Sequence, residues 1–96
     1  MAVASNSVKT ISGVKYTTGK YKVNASILNV RTGPSTKYKI KGYKQLTANA
    51  RYQNKKLGNQ YTNGLKRGVV TTVTKVQNGF GLIPSGWISL NYCTKL

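Results

Sequence analysis

The 96-residue chain contains no aspartate, no glutamate and no histidine. Each absence removes a class of chemistry. Without side-chain carboxylates there is no acid pair for glycoside hydrolysis, no oxygen cage for calcium and no acidic orienter for a catalytic triad. Without histidine the usual neutral-pH general base is missing. A single cysteine builds neither a thiolate zinc site nor an internal disulfide, so no metal or other cofactor is expected. No apolar run approaches the roughly 18 residues that a membrane span needs. The first 14 residues lack the continuous apolar stretch of a secretion signal. These absences argue against an independent enzyme and for a binding module, either part of something larger or released by a route other than secretion.

What is present points to the partner. Sixteen lysines and arginines give a formal charge of +16 on one small domain. Such a charge opposes compaction and favours polyanions: nucleic acid, an anionic membrane surface, or a bacterial wall bearing phosphates and carboxylates. The lysines are dispersed, with Lys55-Lys56 as one of the few adjacent pairs, unlike a disordered nucleic-acid tail. Seven tyrosines and one tryptophan are interleaved with them. Flat amphipathic rings suit sugars and peptides at low rotamer cost.

Periodicity predicts an all-β domain. Residues 1–18 read as a linker or N-terminal extension, with Val14-Lys15-Tyr16 as a candidate edge strand, and residues 19–96 as the domain. Tyr21, Val23 and Ala25 alternate with polar residues, and Leu28 and Val30 point opposite to Asn29 and Arg31. Thr32-Gly33-Pro34-Ser35 is a turn. Lys37–Lys41 alternates again, which predicts a strand with Lys37, Lys39 and Lys41 on one face and Tyr38 and Ile40 on the other. Residues 45–64, approximately, read as an insertion. Within it Thr47 is an N-cap, Ala48 to Leu57 a short helix with Leu46, Ala50 and Leu57 on one stripe, and Gly58 its stop. Val69–Val76 reads as one strand. Asn78-Gly79 is a tight hairpin turn, and Gly86–Leu90 a last strand. The sum is five to seven short strands with Gly/Pro turns and one helix, which predicts a small barrel. Cys93 reads as a small buried hydrophobe.

Leu28-Asn29-Val30-Arg31-Thr32-Gly33-Pro34-Ser35-Thr36-Lys37-Tyr38, together with Asn78-Gly79-Phe80 and Gly86-Trp87-Ile88-Ser89-Leu90-Asn91-Tyr92, resembles the bacterial SH3 (SH3b) family. The resemblance spans Gly19 to Thr94. It implies an SH3-like barrel that holds a peptidoglycan hydrolase, such as a phage endolysin or an autolysin, on the Gram-positive wall. The missing enzyme would be an N-acetylmuramoyl-L-alanine amidase or a muramidase. The partner would be a peptidoglycan stem or cross-bridge peptide or teichoic acid, met outside the cell after phage-type release. Two departures stand out. The chain interposes the 45–64 insertion where members pass straight to a hairpin. It also reads Gly79-Phe80-Gly81 where many carry Gly-Trp-Tyr, which implies the loss of a ligand-facing aromatic there.

The expected ligand groove consists of Arg31, Thr36, Tyr38, Tyr43, Trp87 and Tyr92, with Lys37, Lys39, Lys41 and Lys44 supplying charge. Several of these have an architectural alternative. Asn29 and Arg31 can bond loop backbone, Tyr38 and Trp87 can fill the core, and a lysine row can be a solvated strand edge. The rival function is a nucleic-acid-binding β-barrel, whose affinity would fall steeply with salt. A third reading is an accessory chain that joins other subunits or copies of itself.

Overall fold

The computed structural model describes residues 16–58 and 63–96. Eight short strands and one helix follow one another in the order β1 (Gly19–Val23), β2 (Ile27–Asn29), α1 (Ala48–Lys56), β3 (Gly64–Lys66), β4 (Val70–Val73), β5 (Lys75–Gln77), β6 (Phe80–Ile83), β7 (Gly86–Ser89) and β8 (Cys93–Lys95). They form three small antiparallel sheets, ordered β4-β1-β8, β2-β3 and β5-β6-β7. This is an all-β domain with one short helix. The eight strands exceed the predicted five to seven because β3 and β8 show no period in their three residues each and because Val69–Val76 divides into β4 and β5.

Alternation decides what is buried. Tyr21 and Val23 from β1, with Leu28 and Val30 from β2 and its extension, enter one core with Leu46, Leu65, Val69, Val73, Ile83, Ile88 and Leu90. Burying each such aliphatic side chain contributes about 1.5–3 kcal/mol. At the β5–β6 turn Asn78 and Gly79 have φ of 60° and 77°, the pair of left-handed conformations that a type I′ hairpin requires. Asn78 Nδ2 also donates to the Pro34 carbonyl at 3.3 Å, tying this turn to the Thr32–Ser35 turn.

The helix lies where its sequence predicts. Thr47 Oγ1 accepts from the Ala50 N–H at 3.2 Å, and Gly58 follows with φ of 84°. Ala50 is buried as expected, but Leu57 is 41 % exposed, and the buried stripe is completed instead by Asn54. The Asn54 side chain is fully buried. It donates to the Gly64 carbonyl and accepts from the Lys66 N–H, both at 2.8 Å, so it stands in for a strand neighbour of β3. Gln53 treats Val70 of β4 in the same way.

Three further expectations are corrected. Lys37–Lys41 is no strand: Ser35–Tyr38 form turns and only Ile40 bridges, to Arg31. Consequently Lys37, Lys39 and Lys41 do not form one face, and Tyr38 and Ile40 are exposed rather than inward. The turn potential of Gly33-Pro34-Ser35 extends further than alternation suggests, because Ser35 Oγ accepts from the Lys37 N–H at 2.9 Å. Val69–Val76 divides at Thr74, whose N–H bonds Leu82 while the chain passes from one sheet to the next. Finally, Tyr16 belongs to no strand, and the rest of the candidate edge strand, Val14-Lys15, lies outside the described residues.

Candidate functional site

A bridge joins Arg31 to Trp87 in mutual hydrogen bonds of 2.8 and 2.9 Å. Antiparallel partners share a face, so Ile40, Arg31, Trp87, Leu82 and Lys75 form one aligned row on the outer side of the β5-β6-β7 sheet. One step along the strands the same face carries Asn29 and the Phe80–Ser89 pair.

Beside that row lies a groove of about 440 Å³. Ile27, Asn29 and Arg31 form one wall, on the face of β2 opposite the buried Leu28. Phe80, Ser89, Ala25, Asn91 and Tyr92 also line the groove. Thr36 reaches it from the loop. Tyr92 is 56 % exposed, which leaves its ring open to a ligand.

The loop is held by Arg31. Its guanidinium Nη1 donates to the Thr36 carbonyl at 3.2 Å and the Tyr38 carbonyl at 3.0 Å. Arg31 therefore supports the groove while lining it. The Tyr38 ring lies on the Gly33 backbone so closely that a Cβ there would come within 2.5 Å of it. Its other side is open, and the residue is 48 % exposed.

Of the expected groove set, Arg31, Thr36 and Tyr92 come together, and Tyr38 stands at the supporting loop. Trp87 is half-buried on the outer sheet face next to Arg31, outside the groove lining and not in the core. Tyr43 sits apart in the Tyr43–Gln45 turn beneath the Arg51 guanidinium, 5.8 Å from the ring centre, with its N–H on Asn63 Oδ1. Among the expected electrostatic residues Lys37, Lys39 and Lys44 are exposed, but Lys41 is half-buried and donates from Nζ to the Ser85 carbonyl at 2.8 Å.

Residue-by-residue reading missed Ala25, Ile27, Leu28, Asn29, Ser89, Asn91 and Phe80 as lining residues. Phe80 fills a groove wall at the position where an aromatic contact was expected to be lost. The period of β2, which already set Asn29 and Arg31 outward, carried the signal for Ile27. For Phe80 the I′ turn fixes only its pairing with Gln77, and its place beside Ser89 is set by the Pro84-Ser85 turn between β6 and β7.

Beside the groove, where the Tyr16 hydroxyl donates to Asn91 Oδ1 and Cys93 pairs with Val23, burial raises the Tyr16 hydroxyl above its ordinary value, with Tyr21 and Cys93 adding to the effect. Burial alone pushes the Cys93 thiol up to about 12, so it is uncharged at neutral pH and a poor nucleophile. Cys93 is half-buried, less enclosed than expected, with Sγ directed at the Ser89 carbonyl. Among the described residues no helix is long and apolar enough to cross a membrane. Comparisons with family models, with curated proteins and with solved structures returned no match.

Proposed function

We propose that this chain is a non-catalytic cell-wall-binding domain of the bacterial SH3 kind, serving a peptidoglycan hydrolase of an endolysin or autolysin. The observation that carries the reading is the groove itself. An arginine-braced loop, Phe80, Tyr92 and the amides Asn29 and Asn91 line it, in a chain with no carboxylate or imidazole for catalysis. Apart from Ala25 and Ile27, its lining residues fall within the segments whose sequence resembles the family. Backbone amides and small polar groups of a stem or cross-bridge peptide would bond Asn29, Ser89 and Asn91, while Phe80 and Tyr92 cover its apolar surface.

The barrel belongs to the same proposal. Its support is that β4 packs on β6 and β2 on β7, while Thr74 carries the chain directly from β4 into β5. The resemblance assigns an amidase or muramidase as the attached enzyme. A domain held on the wall raises the enzyme's local concentration there, to the order of millimolar for short linkers.

The test is co-sedimentation of the chain with purified Gram-positive walls, with and without teichoic acid, at physiological salt. Binding to both preparations is expected, weakened by Tyr92→Ala and Phe80→Ala. Failure to sediment with either would overturn the proposal. Binding to oligonucleotides that falls about 10³-fold from 50 to 200 mM salt, with none to walls, would establish the nucleic-acid reading instead.

A further inference from the structure

The solvent side of α1 is cationic. Ala50 and Asn54 mark its buried side, Lys55 and Lys56 stand on the opposite arc with Tyr52 between them, and the half-buried Arg51 flanks them. At 1.5 Å of rise per residue, Arg51–Lys55 and Tyr52–Lys56 are each separated by about 6 Å along the axis. The turn after β3 adds Arg67. It is close, because a Cβ on the neighbouring Gly68 would meet both δ carbons of Leu57 at 3.5 Å. A concavity of about 240 Å³ opens beside them, lined in part by Tyr52, Lys56, Leu57 and Gly68.

Among the described residues, no side-chain hydrogen bond engages Arg51, Lys55, Lys56 or Arg67, and the sequence holds no aspartate or glutamate that could pair with them. Four cations are thus gathered on one surface with no anion to neutralise them. The groove shares no lining residue with this surface. The two lie side by side, since Ile27 of the groove pairs with Lys66 at the start of the β3–β4 turn.

We infer that the α1 face and the β3–β4 turn form a second binding surface, for a linear polymer with a phosphodiester backbone and no bases. Charge complementarity selects the phosphates. The two lysines of the α1 face act as point charges, without the planar fork that reads base edges, and Arg51, which has that fork, lies over the Tyr43 ring. The rings here already carry cations: Lys56 lies over Tyr52 at 5.5 Å and Arg51 over Tyr43 at 5.8 Å. A base would have to displace them in order to stack. The choice of a wall polymer as the natural source rests on the wall-binding reading, but the chemistry does not. Groove and patch together make the domain bivalent toward a wall that offers both peptide and phosphate.

The experiment uses the whole chain, with long-chain inorganic polyphosphate as the probe. Lys55→Ala/Lys56→Ala/Arg67→Ala is compared with Lys20→Ala/Lys22→Ala/Lys75→Ala, which removes the same charge from exposed strand positions. Thermal melts establish that both are folded. The first variant is expected to weaken polyphosphate binding about 10-fold or more and to flatten its salt dependence, the second about 3-fold or less. Both should still bind walls stripped of teichoic acid. Equal losses in the two variants would show diffuse charge and overturn the inference, as would tighter binding of poly(dT) than of polyphosphate at matched charge. If the wild-type chain ignores stripped walls, the groove reading falls while the polyphosphate comparison still decides the patch.

Discussion

The side-chain amide of Gln53 makes both hydrogen bonds of a strand partner to Val70: Nε2 donates to its carbonyl at 2.9 Å and Oε1 accepts from its N–H at 3.0 Å. With Asn54 on Gly64 and Lys66, two successive helix residues cover the open borders of two different sheets. Exposed borders of this kind invite pairing with other chains, and here the helix closes them. Asn49 Oδ1 accepts a further bond from Gln53 Nε2 at 2.8 Å and fixes the amide's orientation.

Asn54→Ala leaves the Gly64 carbonyl and the Lys66 N–H buried without partners. The expected loss is about 2–4 kcal/mol in urea unfolding, against about 1 kcal/mol for the more exposed Gln53→Ala. A change below about 0.5 kcal/mol for Asn54→Ala would show that the clip contributes nothing to stability.

Gly33 is required by proximity rather than by backbone conformation. A methyl group there collides with the Tyr38 ring, so Gly33→Ala should cost about 1–2 kcal/mol and weaken wall binding by displacing the ring. In a Tyr38→Ala background the same substitution should cost under about 0.5 kcal/mol. Additive effects in this double-mutant cycle would remove the contact as the cause.

Cys93 gives the alkaline limit a sign. Its thiol is raised in the folded chain, so its contribution to stability is complete below the ordinary thiol value of 9.0 and is lost as pH climbs toward about 12. Wild type should therefore lose more thermal stability between pH 8 and pH 10.5 than Cys93→Ala does. Identical pH profiles would rule out the thiol. Alkylation of Cys93 in the native chain at pH 8 should also be slow, and should accelerate in denaturant.

A chain with 16 cationic and no acidic side chains repels itself wherever its charges are exposed. Shortening the screening length from about 30 Å at 0.01 M to about 8 Å at 0.15 M salt should raise the melting temperature. The rise should be smaller in Lys55→Ala/Lys56→Ala/Arg67→Ala, which thins the cluster on α1 and the β3–β4 turn. A flat response in wild type would mean that the repulsion is already relieved in the fold.

Much of this architecture was legible in the chain. Alternation placed Tyr21, Val23, Leu28 and Val30 inside, Thr47 and Gly58 bounded the helix, and Asn78-Gly79 set a hairpin. Alternation misled at Lys37–Lys41, where local side-chain bonds to the backbone hold turns and only Ile40 bridges a neighbouring segment. Within the groove, Arg31, Thr36 and Tyr92 were accessible because they flank a turn and a terminal segment. Phe80 was not, because its place depends on which strand its hairpin pairs with. Asn54 was invisible as a core residue, since an asparagine's suitability for burial depends on two backbone groups that arrive from β3.

β1 enters the molecule at Gly19 and ends at Val23, two residues before Ala25 in the groove wall. At 3.3–3.4 Å per residue that strand is a strut about 13 Å long. Antiparallel pairing of β1 with β8 brings Leu96 back beside Lys20, where its N–H reaches the Lys20 carbonyl at 2.9 Å. A group attached at Leu96 would therefore sit a strand's length from Ala25, while Tyr16, which donates to Asn91 Oδ1, keeps the other approach to β1 beside the groove.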